Sequence, residues 1–345
     1  MRYLHVITDL QYGSCGKGLF AGYLALKIKP DTIITAWSPN AGHTFIDDAG
    51  NKMVNCALPN GIVAPSVKRV LIGPGSVINP EQMIDELTRY KSHMRNVELL
   101  IHPHAAVVFQ SHRDAEAKYA FTIGSTMKGV GEAVCQKIRR KPGYLNIAHR
   151  CLVDTELARY VTSIARYDRA IDEAECAIIE GAQGFSLSIN QGFYPYTTSR
   201  DCTTMQLLSD CAVPLPMEHH MTVYGVCRTF PIRVNNRDHS SGPYYPDQVE
   251  LRWEDLHIEP ELTTVTKLPR RVFTFSIQQI HDACRMNGVN SVFLNFCNYM
   301  KWPDSDQIEV DDQVSLLIND IERSTGIRVR WTGWGSKLSD IQEIA

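Results

Sequence analysis

The sequence QYGSCGKGLF, residues 11–20, is a glycine-rich turn between two segments of different periodicity. The apolar run before it, residues 3–8, is typical of a buried strand, and residues 19–28 have the spacing of a helix. A strand, such a turn and a helix favour phosphate binding, because helix N-terminal N–H groups point towards an anion. The turn supplies three glycines and a lysine for this purpose: Gly13, Gly16, Lys17 and Gly18.

The P-loop pattern GxxxxGK[ST] does not describe this turn. Gln11 stands where the first glycine of that pattern belongs, and Gly18 stands where a serine or threonine should follow the lysine. The alternative interpretation is a structural turn with an exposed Lys17, which would contribute little to packing. Strand, glycines, lysine and helix together make phosphate binding the better interpretation, but they leave Ser14 and Cys15 unexplained.

Composition narrows the class of protein. The chain has 345 residues, of which 44% are hydrophobic and 21% charged, which predicts a globular protein with a sizeable core. A formal charge of −3 argues against a nucleic-acid-binding protein, although the basic clusters at 137–141 and 269–271 suit small phosphates.

Without a transmembrane stretch or a leader, we expect no membrane association and a cytoplasmic location. Ten cysteines without CxxC or zinc spacing predict free thiols.

Short apolar runs alternate with amphipathic segments along the chain. This alternation predicts an α/β fold with a mainly parallel central sheet, formed as one domain by residues 1–345. Residues 235–246 are expected to form a surface loop. The predicted strands are 32–35, 69–72, 177–179, 222–226 and 291–294, and the predicted helices are 80–90, 154–174 and 276–287.

Three further polar clusters, at 40–44, 123–126 and 180–184, follow predicted strands, and parallel strands bring such ends together at one edge. His43 lies in a polar loop without the apolar neighbours of a core histidine, and taken alone it suits a structural role as well as a catalytic one. A hydroxyl-rich turn at 194–199 and a solvated helix face at 137–141 are the ordinary interpretations of those segments.

In combination, the clusters resemble the adenylosuccinate synthetase family, whose motifs are QWGDEGKGK, NAGHT, GTTGRGIGP, EGAQG and YPYVTS. The corresponding segments follow in the same order: QYGSCGKG (11–18), NAGHT (40–44), GSTMKGVG (124–131), EGAQG (180–184) and YPYTTS (194–199). The resemblance is less close at TTVTKLPRR (263–271), which is similar to the family's aspartate loop, and at WTGWG (331–335), where the family holds the donor base.

The resemblance implies a homodimeric ligase that uses Mg²⁺. Such an enzyme transfers the γ-phosphoryl group of a nucleoside triphosphate to O6 of a 6-oxopurine nucleotide, and the amine of L-aspartate then displaces the phosphate. Transfer of this kind depends mostly on positioning and on stabilising negative charge.

The same resemblance implies the site residues. The catalytic ones are Ser14, Lys17, His43 and Gln183. Those that bind the triphosphate are Gly13, Gly16, Lys17, Gly18, Thr44 and Gly333. Those that bind the purine nucleotide are Ser14, Asn40, Ser125, Thr126, Gln183, Thr198 and Arg140, the last of which matches an arginine that reaches into the partner subunit's site. Those that bind aspartate are Thr264, Val265, Thr266, Lys267 and Arg270. The metal ligands are Ser14 and the carbonyl of Gly42.

One departure from the family pattern bears on the substrate. Ser14 stands where the family has an aspartate that takes the proton from purine N1 and ligates Mg²⁺, and a hydroxyl is a far weaker base. A smaller side chain leaves room for a purine 2-amino group, and the serine oxygen can accept a hydrogen bond from that group. In this the chain resembles the viral branch of the family that makes 2-amino-N6-succinyl-deoxyadenylate from dGMP. The alternatives are an adenylosuccinate synthetase acting on IMP and a non-catalytic nucleotide sensor.

Two further departures concern the donor and the amino acid. Residues 294–297, LNFC, replace the family's TKLD and offer no carboxylate to guanine, which predicts ATP as the donor. Leu268 stands where an arginine usually grips the amino-acid carboxylates, and we expect Arg270 or Lys267 to compensate.

Overall fold

A nine-stranded sheet organises the chain in the computed structural model, which describes residues 1–119, 123, 125–215, 220–235, 241–263, 267–300 and 310–344. The strands of this sheet, in chain order, are β1 (Tyr3–Asp9), β2 (Thr32–Thr35), β5 (Arg69–Ile72), β7 (Glu98–Ile101), β9 (Cys176–Glu180), β10 (His220–Arg228), β14 (Ser291–Asn295), β15 (Val329–Gly333) and β16 (Ile341–Glu343). Smaller sheets contain β3 (His43–Ile46), β4 (Lys52–Asn55), β6 (Val77–Ile78), β8 (Ala106–Val107), β11 (Ile232–Arg233), β12 (Glu250–Leu251) and β13 (Arg271–Phe273).

The strand order is β16-β15-β14-β10-β1-β9-β2-β5-β7. Neighbours pair in parallel throughout, except that β16 runs antiparallel to β15 at one edge. In parallel sheets the carboxyl ends of all strands open onto one edge, where ligands bind. The first strand therefore lies at the centre, and the turn that follows it opens onto the middle of that edge.

Helices cover both faces of the sheet, as parallel strands require. They are α1 (Lys17–Ile28), α2 (Pro80–Arg89), α3 (Gln110–Glu116), α4 (Val130–Arg139), α5 (Ala148–Cys151), α6 (Ile164–Asp172), α7 (Thr204–Asp210), α8 (Ile277–Asn287) and α9 (Val310–Thr325). On one face Phe20 of α1 stacks on Phe293 of β14, with ring centroids 4.8 Å apart. The other face holds α6, α8 and α9 against alternate residues of the same strands, including Leu4 and Val6.

The predicted α/β class with a mainly parallel sheet is confirmed, and so are the five predicted strands. The single helix predicted over 154–174 is wrong. A 3-10 helix, Glu156–Tyr160, is followed by extended backbone at Val161, which bridges to Ile101, and α6 starts only after Ser163. The Ser163 hydroxyl accepts a hydrogen bond from the Arg166 N–H and so caps a new helix at that point.

The described residues of the surface loop predicted over 235–246 form no helix or strand, but the loop is anchored in the core at two points. Residues 236–240 lie outside the described residues, but Ser241 and Tyr245 are buried, and Tyr245 packs with Tyr12 and Phe273. All ten cysteines are free thiols, as predicted. Across the part of the chain that the structure describes, every helix is too short or too polar to cross a membrane.

Candidate active site

Four neighbouring strands each end in a polar side chain at the carboxyl edge of the sheet. In sheet order they are Asn295 of β14, Arg228 of β10, Asp9 of β1 and Glu180 of β9, and all four are buried. Ligand sites in parallel sheets form beyond such ends. The candidate active site is built around this row.

The turn after β1 has the backbone of an anion-binding loop. Gly13, Ser14 and Gly16 have φ angles of 80°, 58° and 91°, and α1 starts immediately afterwards at Lys17. A Cβ on Gly18 would lie 2.9 Å from the backbone N of Thr44, so the first turn of α1 packs closely against β3, the strand that starts at His43. The N-terminus of α1 therefore faces the site at a place where only glycine allows this approach.

Lys17 is buried, which corrects the expectation of an exposed lysine. Its side chain is 5% exposed, and Nζ lies 2.9 Å from Asp9 Oδ2 and 2.6 Å from the carbonyl oxygen of Gln183. Asp9 Oδ1 accepts hydrogen bonds from the N–H groups of Gln11 and Gly13, at 3.0 and 3.1 Å. Asp9 thus holds both the lysine and the turn in position.

His43 is also buried, and the expectation that it lacks apolar neighbours is wrong. Its ring stacks on Trp37 with centroids 3.8 Å apart, and Nδ1 lies 3.4 Å from Glu180 Oε1. Burial and the charge of Lys17 lower the pKa of His43 well below its usual value. Burial raises the pKa of Glu180 to about 8, against hydrogen bonds from Asn60 that lower it. The imidazole is therefore neutral at physiological pH and can serve as a hydrogen-bond donor.

The predicted metal ligands Ser14 and Gly42 are exposed residues that precede α1 and β3, two elements in contact at Gly18 and Thr44. Among the described residues, no three histidine, cysteine or acidic side chains are grouped to hold a metal ion. Mg²⁺ commonly binds through few protein oxygens and several phosphate oxygens. A hydroxyl and a carbonyl fit that mode of binding only when nucleotide phosphates complete the coordination.

The predicted nucleotide-binding residues lie on three loops around the same edge. Ser125, Thr126, Thr198 and Asn40 are half-buried, and Ser125 Oγ donates to Glu116 Oε1 at 3.1 Å. A Cβ on Gly131 would lie 3.8 Å from Ser199, which places the loop of Ser125 beside that of Thr198. Arg200 joins the latter loop to Ser38, two residues before Asn40, with a 2.6 Å hydrogen bond from Nη2 to Oγ.

Two other predicted residues occupy different surroundings. Gln183 has a φ of 64° in its own tight turn, directly beside Gly13. Arg140, in contrast, is exposed at the C-terminal end of α4, among the exposed residues 138–145. The structure describes no contact between Arg140 and the loops listed above within this chain.

The segment expected to face the donor base, residues 331–335, lies beside the glycine-rich turn of residues 11–18. The amide of Asn295 donates to the carbonyl of Cys15 at 3.1 Å and accepts from the Phe296 N–H at 2.8 Å. A Cβ on either Gly16 or Gly333 would lie 2.1 Å from this amide, so three segments meet there. The predicted triphosphate residue Gly333 is therefore close to the loop that holds Gly16.

The predicted aspartate loop is a hairpin. The Arg270 N–H donates to the Glu261 carbonyl at 2.8 Å, and the Thr263 N–H donates to the Leu268 carbonyl at 2.9 Å. Three predicted residues at its tip lie outside the described residues: Thr264, Val265 and Thr266. Lys267 is exposed, whereas Arg270 is half-buried.

Sequence reasoning assigned no role to four residues of this site. They are Asp9, Glu180, Arg228 and Asn295, which form the row described above. The signal that identifies them is a polar residue directly after a buried apolar run, as in Val6-Ile7-Thr8-Asp9 and Ala177-Ile178-Ile179-Glu180. A polar side chain is stable there only with partners, which a site at the strand ends provides.

Comparison with known proteins identifies relatives of the whole chain. The family model described as adenylosuccinate synthetase matches residues 6–148 and 146–311. Proteins named N6-succino-2-amino-2′-deoxyadenylate synthase from Vibrio phage phiVC8 and Salmonella phage PMBT28 are 45% and 44% identical, over 99% and 97% of this chain and 98% and 96% of theirs. The solved succinoaminodeoxyadenylate synthetase of cyanophage S-2L, bound to dGMP and to dATP as an energy donor, matches with a TM-score of 0.90. That structure is 42% identical, over 99% of this chain and 95% of its own.

Proposed function

Because this chain belongs to the adenylosuccinate synthetase family, we propose that it is a ligase that joins L-aspartate to C6 of dGMP. The products are 2-amino-N6-succinyl-deoxyadenylate, ADP and phosphate when ATP is the donor. O6 of dGMP takes the γ-phosphoryl group, the aspartate amine attacks C6, and O6 leaves as phosphate. The observation that carries the proposal is Ser14, in a loop that keeps Lys17 and the neighbouring His43.

The phosphoryl group is stabilised by groups that are already in place. Apart from the Gly13 N–H, which donates to Asp9, the loop through Gly16 and the start of α1 offer backbone N–H groups, and Lys17 adds a buried positive charge fixed by Asp9. Such preorganised charge costs no rearrangement during transfer, which is why it contributes strongly to catalysis. His43, neutral in its buried position, donates a hydrogen bond where negative charge develops.

Ser14 fits a purine with a 2-amino group. Ser14 is exposed, and its φ of 58° places it in a tight turn between β1 and α1. The hydroxyl oxygen accepts a hydrogen bond from the guanine 2-amino group. IMP lacks this group, so the hydroxyl would have no such donor. This favours dGMP over IMP, and the retention of Lys17 and His43 favours catalysis over a sensor.

We further propose Mg²⁺ as the metal, held by nucleotide phosphates, Ser14 and the Gly42 carbonyl. When bound, it neutralises charge on the transferred group. The donor is ATP or dATP, because residues 294–297, LNFC, offer no carboxylate and Cys297 stands where the family's TKLD has its aspartate. An aspartate in place of Cys297 would accept from guanine N1 and N2, as selection of GTP requires. The Asn295 amide is already occupied by Cys15 and Phe296.

We propose a homodimer in which Arg140 completes the site of the partner chain. Three observations support this: Arg140 is exposed, Lys141 follows it, and apolar side chains around it are exposed, with Ile138 and Tyr144 at 66% and 64%. Clusters of exposed apolar groups mark interfaces, and an arginine among them can donate two hydrogen bonds to one phosphate group.

The whole chain acts as one domain, since β1 and β16, from opposite ends of the sequence, belong to one sheet. We place the reaction in the cytoplasm of a phage-infected cell, because the relatives are phage proteins.

Release of phosphate tests the function. The purified chain is incubated with ATP, L-aspartate and Mg²⁺ and with dGMP, GMP or IMP, and the nucleotide product is identified by mass spectrometry. The proposal requires phosphate and the succinylated product with dGMP. Preference for IMP would indicate an orthodox adenylosuccinate synthetase, and no release with any nucleotide would indicate a sensor.

A further inference from the structure

Arg228 contacts three separate parts of the site although no motif includes it. Its side chain is completely buried, and Nη1 donates to the Ser14 carbonyl at 3.1 Å while Nη2 donates to Glu261 Oε1 at 2.5 Å. The guanidinium carbon lies 3.8 Å from the centroid of the Phe296 ring. Arg228 therefore joins the substituted loop, the aspartate hairpin and the donor-base segment.

The charges around Arg228 do not balance. Glu261 is the carboxylate partner of Arg228, and Arg270 lies opposite Glu261 in the hairpin. Burial lowers the pKa of Arg270, and the nearby charges of Glu261 and Arg228 act on it in opposite directions. The Arg270 guanidinium has no ion pair among the described residues. Arg228 Nε is also buried without a hydrogen-bond partner in that part of the chain. Two guanidinium groups and one carboxylate give this cluster a charge of +1, whereas L-aspartate carries two carboxylates and one ammonium group, a net −1.

We propose that Arg228 and Arg270 bind the carboxylates of L-aspartate, and that Glu261 holds the Arg228 guanidinium until a substrate carboxylate replaces it. The proposal rests on the function proposed above. It identifies Arg228 as the residue that takes over from the arginine the family has at the position of Leu268.

The energetics of a buried guanidinium support this exchange. A fully buried arginine without a counter-charge is strongly destabilising, so Arg228 needs a carboxylate in the free chain as well as in the complex. Glu261 can move because its side chain is 29% exposed, whereas Arg228 is fixed by Ser14 and Phe296. Arginine binds a carboxylate through two parallel N–H donors, a geometry that lysine cannot reproduce. Under the proposed function, the hydrogen bond to the Ser14 carbonyl sets Arg228 beside the loop that binds the purine.

Two substitutions test the exchange. Glu261→Gln removes the internal competitor, so the KM for L-aspartate should fall about three- to tenfold while the KM values for dGMP and ATP stay unchanged. Arg228→Lys keeps a positive charge for Glu261 but loses the two-donor geometry, so the KM for L-aspartate should rise at least tenfold with little change for the nucleotides. Glu250→Gln is the matched control, because Glu250 pairs with Arg271 on the adjoining strands. Its KM for L-aspartate should equal that of the unaltered chain.

The results distinguish substrate binding from a structural ion pair. An unchanged or higher KM for L-aspartate in Glu261→Gln, or an equal rise for all three substrates in Arg228→Lys, would overturn the proposal. Thermal unfolding with and without L-aspartate is a second readout that needs no turnover. L-aspartate should raise the unfolding temperature of Glu261→Gln more than that of the unaltered chain, and an equal rise would also overturn it. Failure of the proposed function would appear separately, as absence of phosphate release by the unaltered chain with dGMP.

Discussion

Replacing Lys17 by methionine should reduce both stability and activity, because the lysine is a buried charge as well as a phosphate ligand. The substitution keeps the side-chain length but leaves Asp9 without the cation that lies 2.9 Å from its carboxylate. Removing one partner of a buried ion pair costs about 3–5 kcal/mol. For 345 residues the entropy of unfolding is about 0.7 kcal/mol per degree. The unfolding temperature should therefore fall by about 4–7 °C.

A second lysine of the same helix provides the control. Lys27 pairs with Glu343 on the surface, and exposed pairs contribute at most about 1 kcal/mol, so Lys27→Met should shift the unfolding temperature by less than about 2 °C. The double variant Asp9→Asn, Lys17→Met should recover part of the stability, because no unpaired charge remains. Differential scanning calorimetry at neutral pH measures all of these variants.

Activity separates the two roles of Lys17. Phosphate release by Lys17→Met should fall at least about a hundredfold, the scale of one lost charge or hydrogen bond at the transferred group. The double variant should recover stability without recovering activity. An unfolding temperature no lower than that of Lys27→Met would refute the buried ion pair, and activity within a few-fold of the unaltered chain would refute the phosphate-loop assignment.

Three other predictions concern the histidine, its acidic neighbour and the subunit interface. His43→Ala should lower kcat by about a hundredfold or more in the phosphate-release assay, and an unchanged kcat would make the residue structural. The pKa of Glu180 is raised to about 8, so the folded chain binds the proton of this carboxyl group more tightly than the unfolded chain does. The protonated Glu180 therefore stabilises the fold at low pH, and this stabilisation is lost as the pH rises from about 5 to 8. Glu180→Gln should remove this slope from unfolding free energies measured by urea titration across that range, and a slope identical to that of the unaltered chain would contradict the assignment. Arg140→Leu should raise the KM for dGMP at least tenfold without lowering the unfolding temperature, and a fully active monomer in sedimentation would exclude a shared site.

The strands and most helices could be predicted because their signals are local. The apolar runs at Thr32–Thr35 and Arg69–Ile72 form strands with those bounds, and Ser276 caps α8 as its position suggests. The helix predicted across 154–174 failed where a distant partner intervened. Val161 bridges to Ile101, and the sequence around Val161 does not encode the position of that strand.

The candidate site shows the same division. Its motifs could be recognised from their spacing, but the burial of Lys17 and His43 could not, because the groups that bury them are distant in sequence. Lys17 is covered by Gln183, 166 residues away, and His43 lies 3.4 Å from Glu180 on another strand. Arg228 was missed for a related reason, since its partners Ser14 and Glu261 belong to loops that only the folded sheet brings together.

The substitution of Ser14 for a carboxylate is the central claim about specificity, and one comparison tests it most directly. The values of kcat/KM for dGMP and dIMP are measured in the unaltered chain, in Ser14→Asp and in Ser14→Ala. A site that hydrogen-bonds a substrate group can reject the analogue lacking it by up to roughly ten-thousandfold, and an exposed hydroxyl gives a smaller ratio, on the order of ten- to a hundredfold. The unaltered chain should favour dGMP, Ser14→Asp should shift preference towards dIMP, and Ser14→Ala should lose selectivity while it stays folded. Equal values for dGMP and dIMP in the unaltered chain, or a ratio that does not depend on residue 14, would contradict the account.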